Sequence, residues 1–156
     1  MKLIDRKLLN DTTAKATASP RKRMNHNFHE DYADPINRML NAMEPGTYIQ
    51  PHKHEDPDKR EVFMILSGTL AIILFDHKGN VSGHYILNHE KGVYALEIEP
   101  SVWHMVISLE PGTVMYEIKD GPYAPMTDKN FAPWAPKEGS SDCSSYLQTI
   151  LKTIGR

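Results

Sequence analysis

The sequence predicts an all-β protein, a small antiparallel β-barrel of jelly-roll type with a short helix or arm before it and a helix after it. From Met39 to about Lys119, short apolar runs rich in β-branched and aromatic residues are separated by turn-forming pairs such as PG, SG and EP. Several short strands at this spacing are typical of an antiparallel sandwich or barrel. A length of 156 residues fits one domain, so we expect one functional site.

We divide the chain into one domain, residues 1–156, with four parts. They are an N-terminal arm or short helix at 1–19, the barrel at about 36–120, an irregular wrap at 121–143 and a terminal helix at 144–154. The clearest hairpin joins Thr69–Phe75 to Val81–Leu87 through the turn DHKGN, in which Gly79 can take a positive φ. The wrap is rich in proline, which lacks the N–H that a strand ladder needs. The last part carries apolar residues at helical spacing.

Composition excludes several classes of function. The formal charge is −2, from 18 basic and 20 acidic residues, so we expect no general attraction to nucleic acid or to anionic lipid. Cys143 is the one cysteine, which excludes an internal disulfide and argues against a thiolate metal site. No apolar run has the length that a bilayer span requires. We therefore expect a soluble, cytoplasmic protein.

The most informative stretch carries His52 and His54, followed by Glu61 and, in a later apolar run, His104. Residues two apart in an extended segment project to the same face, so His52 and His54 can present two imidazoles to one point. Glu61 and His104 each begin or lie in a predicted strand that can bring its side chain to the same point. Three imidazoles and a carboxylate suit one divalent transition metal ion, Zn, Fe, Mn, Ni or Co, with positions left open for water or substrate.

The alternative interpretation is that these are surface histidines in a charged loop, because the sequence between His54 and Glu61 is EDPDKR. The two-residue spacing, the strand context and the later His104 together favour the metal site.

The motif G-x5-H-x-H-x6-E-x6-G, from Gly46 to Gly68, resembles the first motif of the cupins, with a longer gap before the glutamate. The second cupin motif is matched more loosely, by Gly92, Pro100 and His104. The segments SPRKRMNHNFH, RMLNAMEPGTYIQPHKH and FDHKGNV are similar to those of the WbuC-type cupin-fold metalloproteins, over roughly residues 19–125. That resemblance implies a cupin barrel, a metal held by the residues above and a connection with bacterial surface-polysaccharide (O-antigen) biosynthesis.

A second group of candidates would contact a substrate above the metal. Residues 21–29 are dense in hydrogen-bond donors, and although composition alone favours a solvated turn, the resemblance favours Arg23, Asn27 and His29 as pocket residues.

Further candidates flank or lie on the first barrel strands. Arg38 and Asn41 are either substrate-binding residues or part of a salt-bridged surface element. Tyr48 and Gln50 have the same parity as His52, so we expect them to line the same cavity.

We consider three functions. The first is a metal-dependent isomerase or epimerase acting on a small polar, sugar-like metabolite, in which the ion is a Lewis acid and His29 or Tyr48 is the base. The second is an Fe(II)-dependent dioxygenase. The third is a non-catalytic cupin that binds a small ligand. Because a barrel of this type leaves a sheet face and an edge to cover, we also expect a homodimer.

Overall fold

The computed structural model describes residues 1–124 and 129–156. Two helices, α1 (Arg6–Ala18) and α2 (Cys143–Thr153), lie at either end of the chain. The strands are β1 (Arg23–Asn27), β2 (Ile36–Met43), β3 (His52–Lys53), β4 (Glu61–Ser67), β5 (Leu70–Phe75), β6 (Val81–Leu87), β7 (Ala95–Ile98), β8 (Trp103–Ser108), β9 (Thr113–Asp120) and β10 (Asn130–Phe131).

The strands form two antiparallel five-stranded sheets that face each other. The first sheet has the order β1-β2-β9-β4-β7 and the second the order β10-β3-β8-β5-β6. The all-β prediction is confirmed, as are the two terminal helices. The architecture is a jelly-roll-like sandwich and not a closed barrel, because each sheet keeps its own two edge strands and, in residues 1–124 and 129–156, no ladder joins one sheet to the other.

The space between the sheets is divided between a hydrophobic core and a cavity. The core packs Phe63 and Ile65 of the first sheet against Ile72 and Val106 of the second. Alternation along the strands places these side chains on the inner faces. The polar residues of the inner faces cluster at the other end of the sandwich, where they surround the cavity.

Each helix covers part of the outer face of one sheet. The helix α1 is capped by Asp5, whose carboxylate accepts a hydrogen bond from the Leu8 N–H at 2.9 Å. Its buried Ala16 packs with Leu40 and Ala42 on the outer face of β2. The helix α2 lies over the outer face of β5 and β8 in the second sheet.

The β5–β6 hairpin forms as predicted, and Gly79 has a φ of +87° in its turn. A side chain at this position would also collide with the ring of Trp134, because a Cβ would lie 2.6 Å from the nearest ring atom. Trp134 therefore packs on the turn of the hairpin and holds the C-terminal segment against it.

Two local expectations differ from the structure. Residues 23–27, for which composition alone favours a solvated turn, pair with β2 over five residue pairs and form the edge strand β1. The wrap at 121–143 contains the two-residue strand β10, which pairs with β3, and its residues 125–128 lie outside the described residues. The division into one domain remains a prediction. Among the described residues no helix is both long enough and apolar enough to cross a membrane.

Candidate metal centre

Four side chains from three neighbouring strands meet at one end of the sandwich. His52 on β3 lies directly opposite His104 on β8, because the two are paired residues in the antiparallel ladder. His54 follows β3, and Glu61 is the first residue of β4 in the facing sheet. All four side chains are buried, with at most 4% of any residue exposed.

The distances fit one shared ion. One potential ligand atom from each residue can be chosen so that all four atoms lie within 4.8 Å of one another. The Glu61 carboxylate lies between two imidazoles, with Oε1 3.0 Å from His54 Nε2 and Oε2 3.0 Å from His104 Nε2. Two ligand atoms on opposite sides of a single transition metal ion are about 4 Å apart, so the cluster has the size of one coordination shell.

Backbone carbonyls orient two of the imidazoles. His52 Nδ1 lies 3.0 Å from the Gln50 carbonyl oxygen, and His104 Nδ1 lies 2.9 Å from the Val102 carbonyl oxygen. A carbonyl oxygen only accepts, so Nδ1 donates in both rings and Nε2 points into the cluster. Metal-binding histidines are commonly held by this outer hydrogen bond, which selects the tautomer that leaves Nε2 as the ligand.

The protonation states also favour cation binding. Burial by itself raises the pKa of Glu61, but hydrogen bonds with His104 and His54 outweigh it and hold that pKa well below its usual range. Burial, together with the nearby positive charge of Lys129, holds the pKa of His52 well below that of a free imidazole. At neutral pH the cluster therefore offers a carboxylate and at least one neutral imidazole to a cation.

The residues fit a divalent metal ion by their donor chemistry. A neutral His104 that donates through Nδ1 has its lone pair on Nε2, which faces the Glu61 carboxylate at 3.0 Å. Two acceptors at this distance repel each other unless a proton or a cation lies between them. Nitrogen and oxygen ligands in this ratio suit Zn, Fe, Mn, Ni or Co.

A cavity of about 510 Å³ lies over the cluster, between the inner faces of the two sheets. This volume is within the range of small-molecule sites. His52, Glu61 and His104 contribute to its wall. The opposite part of the wall is formed by polar side chains of β1, β2 and β9, among them Asn25, Asn37, Asn41, Glu117 and Lys119.

Four of the candidate substrate residues line this cavity. They are Arg23, Asn27, His29 and Asn41. Both terminal nitrogens of the Arg23 guanidinium donate within the protein, to the Tyr48 carbonyl at 2.9 Å and to Glu138 at 2.5 Å. His29 Nδ1 accepts a hydrogen bond from the Arg38 N–H at 3.2 Å and lies 3.1 Å from the Arg38 carbonyl oxygen. Asn41 donates to the Glu117 carboxylate.

The other three candidates lie elsewhere, contrary to expectation. The Tyr48 hydroxyl donates to the Pro136 carbonyl at 2.7 Å, and its ring packs with α2, where burial raises the pKa of the phenol. Gln50 donates to the Ala132 carbonyl at 3.0 Å. The parity argument fails because residues 47–51 are not in a strand, and Ile49 lines the cavity instead.

Arg38 points away from the cavity because it alternates with Asn37 along β2. Its guanidinium bonds Asp34 at 2.8 Å, which is the salt-bridged surface element considered as the alternative.

Three polar residues of the cavity wall were not predicted from the sequence: Asn37 on β2, and Glu117 and Lys119 on β9. Asn37 and Lys119 are paired residues, and Glu117 lies diagonally opposite Glu61 on the same face. Burial, followed by the charge of Glu61, raises the pKa of Glu117. The alternation of Glu117 and Lys119 with Tyr116 and Ile118 in the strand TVMYEIKD indicates that the two charged residues share one face. Alternation does not indicate which face of the strand is buried.

Solved structures with the same fold come from several different proteins. KdgF from Halomonas sp. matches with a TM-score of 0.51 and 14% identity, over 67% of this chain and 83% of KdgF. The capsular polysaccharide assembling protein CapF from Staphylococcus aureus matches with a TM-score of 0.53 and 21% identity, over 69% of this chain but 29% of CapF. Oxalate oxidase in complex with the substrate analogue glycolate matches with a TM-score of 0.53 and 15% identity, over 88% of this chain and 68% of the oxidase.

These similarities establish the cupin-type sandwich, and their low sequence identities limit them to the fold. No curated protein matches this chain. A family model, described as a domain of unknown function (DUF6016), matches residues 4–87, which is more than half of the sequence and includes His52, His54 and Glu61. The chain therefore belongs to the DUF6016 family and has the cupin fold.

Proposed function

We propose that this protein is a metal-dependent cupin that binds one divalent transition metal ion through His52, His54, Glu61 and His104 and isomerises or epimerises a small sugar-like metabolite. The observation that carries the proposal is the cluster of four buried side chains, of which His52, Glu61 and His104 line a ligand-sized cavity. A divalent ion held there supplies Lewis-acid polarisation of a substrate oxygen. The surrounding residues then have to position the substrate and move a proton.

His29 is the candidate base. It lines the cavity, and its Nδ1 lies 3.1 Å from the Arg38 carbonyl oxygen. The Arg38 N–H donates to the same Nδ1 at 3.2 Å, so each neutral tautomer of His29 has a backbone partner. In the tautomer that instead donates from Nδ1 to the carbonyl, Nε2 is the acceptor nitrogen and can take a proton from a substrate carbon. Glu117, a buried carboxyl in the same cavity, is a second group able to hold or deliver a proton.

The substrate class rests on two lines of support. The motifs resemble those of WbuC-type cupins, and one protein that shares the fold is named as a capsular polysaccharide assembling protein. Both agree with an intermediate of bacterial surface-polysaccharide biosynthesis, in the cytoplasm. Amide, carboxylate and ammonium groups in the cavity wall suit a ligand with several hydroxyl groups.

The first test is elemental analysis of protein purified without added metal or an affinity tag of histidines. We expect about one equivalent of a transition metal in the wild type and in Asp58→Asn, which removes an exposed carboxylate of the same loop. We expect none in Glu61→Gln or in the His52→Ala, His104→Ala double variant. Bound iron would favour the dioxygenase instead. Wild type that is metal-free and does not load added Zn, Fe, Mn or Ni would contradict the metal site.

The second test measures proton transfer directly. Metal-loaded protein is incubated in D2O with free and nucleotide-linked sugars, and deuterium at carbon is followed by NMR. An isomerase or epimerase exchanges a C–H proton with solvent, and we expect His29→Phe to slow that exchange by about 100-fold or more. Metal-loaded protein that exchanges no proton in any of these sugars would contradict the isomerase proposal while leaving the metal site intact.

A further inference from the structure

Asn37 is a buried polar side chain without a hydrogen-bond partner. Its exposed fraction is 1%, and it lines the cavity. Neither Nδ2 nor Oδ1 has a hydrogen-bond partner among the residues that the structure describes. Buried amides are nearly always paired, so an unpaired one at the wall of a cavity points to a ligand.

Other buried asparagines in this chain are bonded within the protein. Asn88 Nδ2 donates to Thr69 Oγ1 at 2.6 Å, and its Oδ1 accepts from the Lys91 N–H at 3.1 Å. Asn41 Nδ2 donates to the Glu117 carboxylate, which leaves its Oδ1 unpaired at the cavity wall. The unpaired amide atoms of buried asparagines in the described residues therefore belong to two residues of the same strand.

The register places these two residues on one face. Asn37 and Asn41 are four residues apart on β2, with Met39 between them, so all three point into the cavity. At about 3.3 Å per residue, the two amides are roughly 13 Å apart along the strand. Lys119 is the residue paired with Asn37 on β9, and Glu61 is paired with Lys119 on its other side. The Asn37 end of the wall is thus the end that faces the metal centre.

We propose that Asn37 is a ligand-recognition residue, whose amide donates to one hydroxyl and accepts from a neighbouring hydroxyl of a sugar-sized ligand that reaches from the metal centre toward Asn41. The inference rests on the proposed function for the nature of the ligand, but the unpaired amide is independent of the metal. A vicinal diol matches one amide because it offers a donor and an acceptor at adjacent positions.

Thermal unfolding of Asn37→Leu tests the inference without any ligand. Leucine has a similar size and no polar atoms, so it removes an amide that the ligand-free protein leaves unpaired. We expect Tm to rise by about 2–6 °C. Asn88→Leu is the matched control, and because Asn88 is fully bonded we expect its Tm to fall. A fall for Asn37→Leu as large as that for Asn88→Leu would show that the amide has a structural role, and would overturn the inference.

Ligand binding provides the second measurement. The probes are D-galactose, D-glucuronate and uridine diphosphate glucose, observed by saturation-transfer NMR with zinc-loaded protein. We expect a saturation-transfer signal from at least one probe with the wild type. Asn10→Leu, at an exposed position on α1, should keep that signal, and Asn37→Leu should reduce it at least 10-fold. Asn37→Ala repeats the measurement without the bulk of leucine.

The outcomes separate this inference from the proposed function. Zinc-loaded wild type that binds none of the probes, or Asn37 variants that bind as the wild type does, would overturn the role of Asn37. Wild type that does not load zinc would count against the proposed function, and the comparison of Tm between Asn37→Leu and Asn88→Leu would still decide whether Asn37 is structural.

Discussion

At the scale of single residues, strand pairing and backbone hydrogen bonds set the positions of the side chains in the candidate metal centre. His52 and His104 are neighbours because their strands pair them, and each ring is turned by a carbonyl two residues earlier in its own chain segment. Glu61 comes from the other sheet and closes the cluster. A buried carboxylate between imidazoles is costly unless a proton or a cation compensates it, which favours a chemical role over a structural one.

Tyr48 is the residue whose role the structure changes most. We expect Tyr48→Phe to lower the free energy of unfolding by about 1 kcal/mol, because it leaves the Pro136 carbonyl without its donor, and to leave metal content unchanged. Urea unfolding and elemental analysis measure the two effects. If a stable, metal-loaded Tyr48→Phe protein no longer exchanged sugar protons with solvent, that result would instead support Tyr48 as the base.

At the scale of elements, the helix α2 shows why the strands around the site stay in place. It buries Cys143, Leu147 and Ile150 against the outer face of β5 and β8, where Met105 and Ile107 alternate with the inward His104 and Val106. The spacing of the buried helix residues, four and then three, keeps them on one face. The helix thus packs against the outer face of β8, the strand whose inner face carries His104.

We expect Leu147→Ala to lower the free energy of unfolding by about 2–5 kcal/mol, because the side chain is 3% exposed and its removal leaves a cavity beneath the helix. Gln148→Ala, at the next and exposed position, should change it by less than about 0.5 kcal/mol. Chemical denaturation of the two variants checks the difference. Similar unfolding of both would mean that α2 is not docked on the sheet in solution.

At the scale of the whole molecule, the site joins parts of the chain that are distant in sequence. Glu61 of the first sheet and three histidines of the second contribute to one cluster, so an ion bound there connects the two sheets. Binding to the folded state alone stabilises a protein by mass action, and the effect grows with the ratio of free ligand to dissociation constant.

We therefore expect metal-loaded protein to be more stable than protein treated with a chelator, by about 2.7 kcal/mol when free metal is at 100 times the dissociation constant. Differential scanning calorimetry at fixed protein concentration measures the change. The His52→Ala, His104→Ala double variant should show no dependence on metal. A wild type whose Tm is the same with and without metal would contradict a site that spans the sheets.

The expected homodimer remains a prediction, but part of its rationale is removed. It assumed an uncovered sheet face, and α1 and α2 of the same chain cover part of the two outer faces. Met64 on the outer face of β4 stays 39% exposed, and light scattering can check the state in solution.

The sequence by itself determined what depends on local pattern. The two-residue spacing of His52 and His54, the hairpin with Gly79 and the helical periodicity after residue 143 can each be read from a few neighbouring residues, because period and turn chemistry are local properties. The cupin motif added Glu61 and His104 as partners of the histidines.

Only the tertiary structure decided which face of each strand lines the cavity. Tyr48 and Gln50 have the parity of His52, yet residues 47–51 form no strand, so parity did not carry across Pro51. Asn37 and Glu117 look like ordinary polar strand residues, and only the pairing of β2 with β9 places them opposite the metal centre. Alternation fixes two faces in every strand, but the packing of the sheets determines which of the two is buried.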